Sequence, residues 1–438
     1  MNDFNEIKEW YLDEFKRFES TLNGESTEPI HQLRKEAISN FSGLNFPNTK
    51  DEEWKYTNIA PLLKYNFRPS PTKEKITDKQ IIKFLFNQFE YNLLVFLNGH
   101  FDEKLSKIKD LPQGVVAGSI AEAINKKSPV IEKHFGKYAD FKSQIFTALS
   151  TAYIEDGAFI FVPDGKVIKD AFHILYLTTS GDNKILAQPR NLFVIGKNSQ
   201  VTIIEHYSSL NDDVYFTNAI TEIFADESAV VDHIKLQEES KKAFHIGRME
   251  VYQERNSNFS SHTLSFGAEL SRNDFNTKFN AEGGESMLNG LFLIDGSQLF
   301  DVHTMIDHAK PRCNSHEHYK GILDDKARGV FNGKVMVRKD AQKTNAFQEN
   351  NNILLSDGAL VNTKPQLEIF ADDVKCSHGA TIGQLDKDSM FYLKSRGISE
   401  DTAKIILLHA FASDVVQSIK VQPVKNYIEE ILSRRFNN

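Results

Sequence analysis

Cys376 and His378, two residues apart, form the most chemically pointed pattern in the sequence. They lie in Leu367 to Asp386, LEIFADDVKCSHGATIGQLD, with strand-like sequence before and helix-like sequence after. In an extended segment residues i and i+2 share a face, so a sulfur and an imidazole would stand side by side. Both ligand types suit iron, zinc or copper. Two ligands do not close a metal site. Either other residues complete it, or the pair is a small hydrophobe beside an ordinary polar residue. Asp372 and Asp373 just upstream add hard oxygen donors, though acidic pairs are also usual at turns.

Other candidates carry less. The stretch His303 to His318, HTMIDHAKPRCNSHEH, puts His316 and His318 on one strand face near Cys313. Pro311 turns the chain there, and solvent-facing or stacked histidines are the simpler reading. Gly329 to Lys334, GVFNGK, has three residues between its glycines and is followed by Val335. A P-loop needs four, then a Ser or Thr after the lysine. No G-x-G-x-x-G or G-x-S-x-G occurs, so nucleotide hydrolysis or hydride transfer by this chain has no support. Asp324, Asp325, Arg328 and Arg338 offer turn-borne charges to a carbohydrate-active enzyme, but they form no defined constellation.

Composition narrows the setting. The 438 residues are 40% hydrophobic and 26% charged, as in a soluble globular protein. A net charge of −8 argues against nucleic-acid binding. Two cysteines cannot staple such a chain, which suggests a reducing compartment. With neither a secretory signal nor a long apolar run, a cytoplasmic protein with no membrane partner is expected.

Three regions must position the Cys/His pair. Residues 1–156 read as mostly helical, with FNEIKEWYLDEFKRF and EPIHQLRKEAISNF at helical spacing and YNLLVFLNGHF as a strand and turn. Residues 157–387 change texture. Short β-branched and aromatic runs alternate with turn clusters, first about every 28–30 residues and later about every 15–17. Spacing this regular, with no helices between, fits a β-solenoid. Residues 388–438 read as a helical unit that covers its open end. Ser399 is the expected N-cap, ISEDTAKIILLHAFASDVVQSI runs about six turns, and Pro423 ends or bends it. Ile405, Ile406, Leu408 and Phe411 are too apolar for water and face the chain's own core or a partner. The solenoid is expected to stay soluble when the chain is cut after about Lys394.

ADDVKCSHGATIGQLD and FYLKSRGISEDTA, with KGILDDKARGVFNGK, RKDAQKTNAFQENNNILLS and DEEWKYTNI, resemble the SufD branch of the SufB/SufD family of iron–sulfur cluster assembly proteins. The resemblance implies a mainly β fold, a right-handed parallel β-helix flanked by helical regions. It implies a non-enzymatic scaffold that pairs edge to edge with SufB and docks the SufC ATPase on its C-terminal helices, with Ile405, Leu408 and Phe411 as docking candidates. His378 would be a cluster or iron ligand at the SufB interface, with Cys376 beside it. No tightly bound cofactor is implied for the isolated chain, only transient iron or an iron–sulfur cluster in the complex, together with a part in iron acquisition. An exposed last rung leads to the further expectation of a homodimer when the partners are absent. The alternatives are a β-helix carbohydrate-active enzyme, a SufB-like cluster scaffold, or a self-associating structural protein.

Overall fold

In the computed structural model, residues 2–22, 29–69, 76–87, 90–181 and 183–436 are described. Most solenoid strands hold eight to eleven residues, such as Phe216–Ala225, Val230–Glu238 and Phe244–Gln253. Corner residues stop each run before a helix could form. Asn198, Ser228, Asn256 and Asp325 all take left-handed φ near +55°, a conformation that Asn and Asp adopt more readily than most. These corners are the turn clusters legible in the sequence. Successive strands alternate between two sheets, and each pairs in parallel with the strand two places on. Phe216, Phe244, Leu270, Leu299, Arg328 and Leu360 therefore stack in one column, a repeat of 26 to 32 residues. The fold is mainly β, a solenoid of about eight turns between residues 159 and 383, with helices at both termini. The shorter sequence spacing reflects the two strands in each turn.

Inward-facing side chains fill the lumen, among them Ile160, Phe193, Ile223, Phe275, Phe292 and Phe331. Each such side chain contributes about 1.5–3 kcal/mol by leaving water. The outward faces are covered as well. On one sheet, the helices Asn2–Thr21, Pro29–Gly43 and Ile145–Ala152 bury Tyr11, Phe15 and Phe41 in a cluster with Phe216, Phe244 and Leu270. On the other, the helices Glu400–Ser418 and Gln422–Phe436 pack Leu408, Val415, Ile428 and Leu432 on Ile204, Ile234, Leu264, Leu291 and Ile322.

This placement corrects three expectations. The C-terminal helices lie along the side of the solenoid, because its apolar outer column needs cover there. They do not close its end. Cutting after Lys394 would bare that column to water, which counts against the expected solubility of the truncated solenoid. Pro423 is the second residue of the last helix, which it helps start because an early helical position needs no intrahelical N–H donor. Ser399 does cap the preceding helix, its hydroxyl accepting from the Thr402 N–H at 3.2 Å.

The two ends of the solenoid differ. At the N-terminal end the parallel order stops in antiparallel pairs, His100–Phe101 on Asn92–Leu97 and Val116–Ser119 on Ala158–Val162. Phe101, Leu111, Val115 and Ala117 pack against the lumen core there. Glu222, fully buried beside Arg190 at 3.1 Å, accepts from the backbone N–H groups of Gly136, Tyr138 and Ala139 at 2.7 to 3.0 Å. One carboxylate thus ties residues 136–139 to the outer face of the sheet, three strands in from its end. At the other end, no described strand pairs with the outer edge of Leu360–Ile369 or Val374–Gly383.

Candidate functional site

The last strand, Val374–Gly383, pairs in parallel with Thr344–Leu354. Cys376 lies opposite Ala346, and His378 opposite Gln348. Ala346 and Gln348 face the lumen and are buried, so Cys376 and His378 stand on the lumen side too. No rung covers them. Cys376 is half-buried against Val335, Val337 and Ala341, while His378 is exposed. Burial pushes the Cys376 thiol up, with a backbone hydrogen bond from Ala346 opposing it. The thiol therefore stays protonated until a metal or another cation displaces the proton. Asp372 and Asp373 are exposed at the preceding corner, where backbone hydrogen bonds join Asp373 to Gln342 and Lys343. Among the described residues, no group of three or more His, Cys, Asp or Glu is placed to hold a metal ion. The pair offers one sulfur and one nitrogen at an open strand edge.

Beneath His378 the same inward column continues through Gln348 to Glu317. Both are nearly inaccessible, at 3% and 2%. The Gln348 amide Nε2 donates to Glu317 Oε2 at 2.5 Å, and Gln348 Oε1 has no hydrogen-bond partner. Gly333 opposite makes room: a Cβ there would sit 2.2 Å from Gln348 Nε2. Burial pushes Glu317 up to about 7. Sequence reasoning missed this residue because it lies between two conspicuous histidines. Period-2 alternation was the available signal: His316 and His318 point outward, so Glu317 must point in.

The histidine-rich stretch divides among separate surroundings. His316 stacks on Phe347 of the next rung, ring centroids 5.2 Å apart. Cys313 is buried at a corner. His303 lies on the opposite sheet, between Asp301 and Glu53, each at 3.1 Å. There the DEEWKYTNI segment docks on the solenoid. The Arg272 guanidinium lies 3.8 Å from the centre of the Trp54 ring and donates to the Glu53 carbonyl at 2.6 Å and Asp301 at 2.9 Å. Thr57 donates to Asp301 at 2.5 Å. Burial alone would lower His303, but Asp301 and Glu53 carry it to about 9. Burial likewise favours neutral Asp301, yet His303 and Arg272 hold it near 2. A cavity of about 320 Å³ adjoins these residues, but their charges answer one another and fasten the N-terminal segment.

Other sequence candidates resolve simply. Gly329–Lys334 lies inside the strand Arg328–Val337, which leaves no loop to cradle phosphate. Arg338 forms a two-point pair with Asp307 at 2.6 and 2.8 Å. Leu408 is 2% exposed and belongs to the chain's own core, so in this conformation its side chain does not reach a docking partner. Ile405 and Phe411 are half-buried on the same helix, and Ile406 is exposed. Lys320 clips that helix to the solenoid through Asp414 at 2.5 Å and the Phe411 carbonyl at 2.9 Å. A buried lumen cluster also escaped sequence reasoning. Lys235 meets His245 at 2.9 Å and Asn273 at 2.6 Å, His245 meets Glu239 at 2.7 Å, and Glu205 meets His233 at 2.9 Å. These groups pair among themselves, as buried charges must.

Residues 176–411 match the family model for the SUF system FeS cluster assembly SufBD core domain, and residues 5–174 match that for the SufBD protein N-terminal region. An iron–sulfur cluster assembly SufBD family protein of Synechocystis sp. is 32% identical, over 95% of this chain and 93% of that protein. The iron–sulfur cluster assembly protein SufD of Escherichia coli is 28% identical, over 99% and 96%. That of Bacillus subtilis is 26% identical, over 93% and 94%. No helix among the described residues is long and apolar enough to cross a membrane.

Proposed function

The chain belongs to the SufBD family, whose members take part in iron–sulfur cluster assembly, and from that premise we propose that it is a scaffold subunit rather than a catalyst. Its open edge receives a second β-solenoid, SufB, and the two chains together complete a site for iron or a nascent cluster. The observation that carries this reading is the uncovered last rung, with Cys376 and His378 on its lumen side and no third ligand grouped with them. Imidazole and thiolate both bind iron, and the partner supplies the remaining ligands. Ile369, Phe370 and Ile382 are exposed around the same mouth, and Phe391 and Tyr392 on the next helix are 74% and 58% exposed. Apolar surface of this kind fits a protein interface. In the partner's absence the same edge pairs with a second copy. SufC docks on the Glu400–Ser418 helix through Ile405, Ile406 and Phe411. The assembly works in the cytoplasm, and the cluster or its iron is cargo.

Co-purification of the full chain with SufB and SufC, followed by anaerobic reconstitution with iron and sulfide, tests the reading. The three proteins are expected to elute together and to develop cluster absorbance. His378→Ala should leave the complex intact and remove most of that absorbance. Undiminished cluster formation by the variant would exclude His378 as a ligand, and failure to co-elute would exclude the partnership.

A further inference from the structure

We infer that Gln348, held in place by Glu317, is a positioning residue that fixes the His378 imidazole for metal binding. The inference rests on the reading of His378 as a ligand. A histidine that binds metal through one ring nitrogen usually donates its other N–H to an acceptor, which sets the tautomer and raises ligand basicity. The acceptor must come from a fixed neighbour. Gln348 is directly opposite His378 in the parallel register, on the same inward face. Its amide is oriented from below. The Gln348 N–H faces Glu317 and donates to its Oε2 at 2.5 Å. That leaves Oε1 as a buried acceptor without a partner in this chain. Leaving such an atom unmade is costly, and here it lies one rung below the candidate ligand.

The surroundings support a built position. Gly333 leaves room for the amide, because a Cβ there would lie 2.2 Å from Nε2 and 2.7 Å from the Phe331 ring unless those side chains shifted. Asn350, two residues on, bonds elsewhere, to the Tyr319 carbonyl at 3.2 Å. Gln348 is thus held by one bond from beneath and keeps one acceptor free. When a second chain covers the rung, the His378 ring is confined above that acceptor.

The test is anaerobic titration of ferrous iron into the complex of the full chain with SufB and SufC. Four proteins are compared: the native chain, Gln348→Leu, the exchange Glu317→Gln with Gln348→Glu, and His378→Ala. Gln348→Leu keeps the volume and removes the acceptor, and a 10- to 100-fold weaker iron affinity is expected. The exchange reverses the pair, so an amide now donates to a carboxylate that still offers an oxygen to His378. It should restore affinity to within a few-fold of native. A merely structural role would not be rescued in this way. Melting temperatures show whether each variant folds, and Gln348→Met replaces the leucine variant if that one does not. Native affinity in the Gln348→Leu complex, or no rescue by the exchange, overturns the inference. Native affinity in His378→Ala overturns instead the ligand reading on which it rests.

Discussion

The two ends of the solenoid are built to opposite specifications. The N-terminal end closes with short antiparallel strands and a plugged lumen. The C-terminal end leaves a ten-residue strand, Val374–Gly383, with a free edge and its lumen side bare. Proteins normally blunt such edges, because unpaired N–H and C=O groups template association. The edge strand of the other sheet, Leu360–Ile369, does carry Pro365, which offers no donor, whereas Val374–Gly383 carries no proline. The difference teaches that stability is invested at one end and binding capacity at the other.

The largest expected effect lies beside that contrast, at Glu222, which ties residues 136–139 to the outer face of the sheet near the closed end. Glu222→Ala leaves Arg190 buried without its counter-charge and frees three backbone donors, so a loss of about 3–5 kcal/mol is expected in urea unfolding. A loss below about 1 kcal/mol would show that this carboxylate is not what fastens the N-terminal region to the sheet. Next is the N-terminal segment held by His303. Its folded pKa near 9 lies above the ordinary histidine value. The stabilisation is therefore complete below about pH 6.5 and disappears as pH rises through 9, a change of about 3 kcal/mol. Asp301, held near 2, gives the opposite dependence and loses its contribution as pH falls through 2. Lys235, lowered to about 8 by burial, titrates in the alkaline range too, so the comparison must be with His303→Gln. The stability difference between the two proteins should shrink between pH 6.5 and 10, and a constant difference would refute the assignment.

A smaller effect is expected midway along the solenoid. Lys320→Met removes the clip to Asp414 and should cost about 1 kcal/mol, because Asp414 is largely solvated. Hydrogen exchange in the Glu400–Ser418 helix should quicken while the strands stay protected. The smallest effect on stability belongs to the open end. His378→Ala should shift unfolding by no more than about 0.5 kcal/mol, since the side chain is exposed. A large destabilisation there would mean that the last rung serves the fold more than a partner.

Much of this architecture was legible in the residues. The spacing of turn clusters located corners such as those at Asn198, Ser228, Asn256 and Asp325, where a left-handed residue carries the strand to the next sheet. Ser399 declared its helix through the hydroxyl, and Cys376 and His378 declared their shared face through alternation. The placement of the C-terminal helices was not legible. ILLHAF is equally apolar whether it covers an end or a side, and only the outer column from Ile204 to Ile322, assembled from five separate strands, decides between them. Gln348 and Glu317 were hidden for a related reason. They are 31 residues apart in sequence, and only the register of the rungs makes them neighbours. Leu408 shows the converse, an apolar residue whose pattern suited a partner until its own chain covered it.

The antiparallel strands at the N-terminal end also set a limit on assembly. In polymer terms, a coil that ended in open parallel rungs at both ends would be a bifunctional monomer, and head-to-tail addition would run on into a fibre. Reversing two short strands turns one of those ends into a chain terminator. What remains is a monofunctional unit, so under the pairing proposed above growth would stop once two chains had met. Among the described residues, that junction is where the lumen-facing Cys376 and His378 would come against another chain.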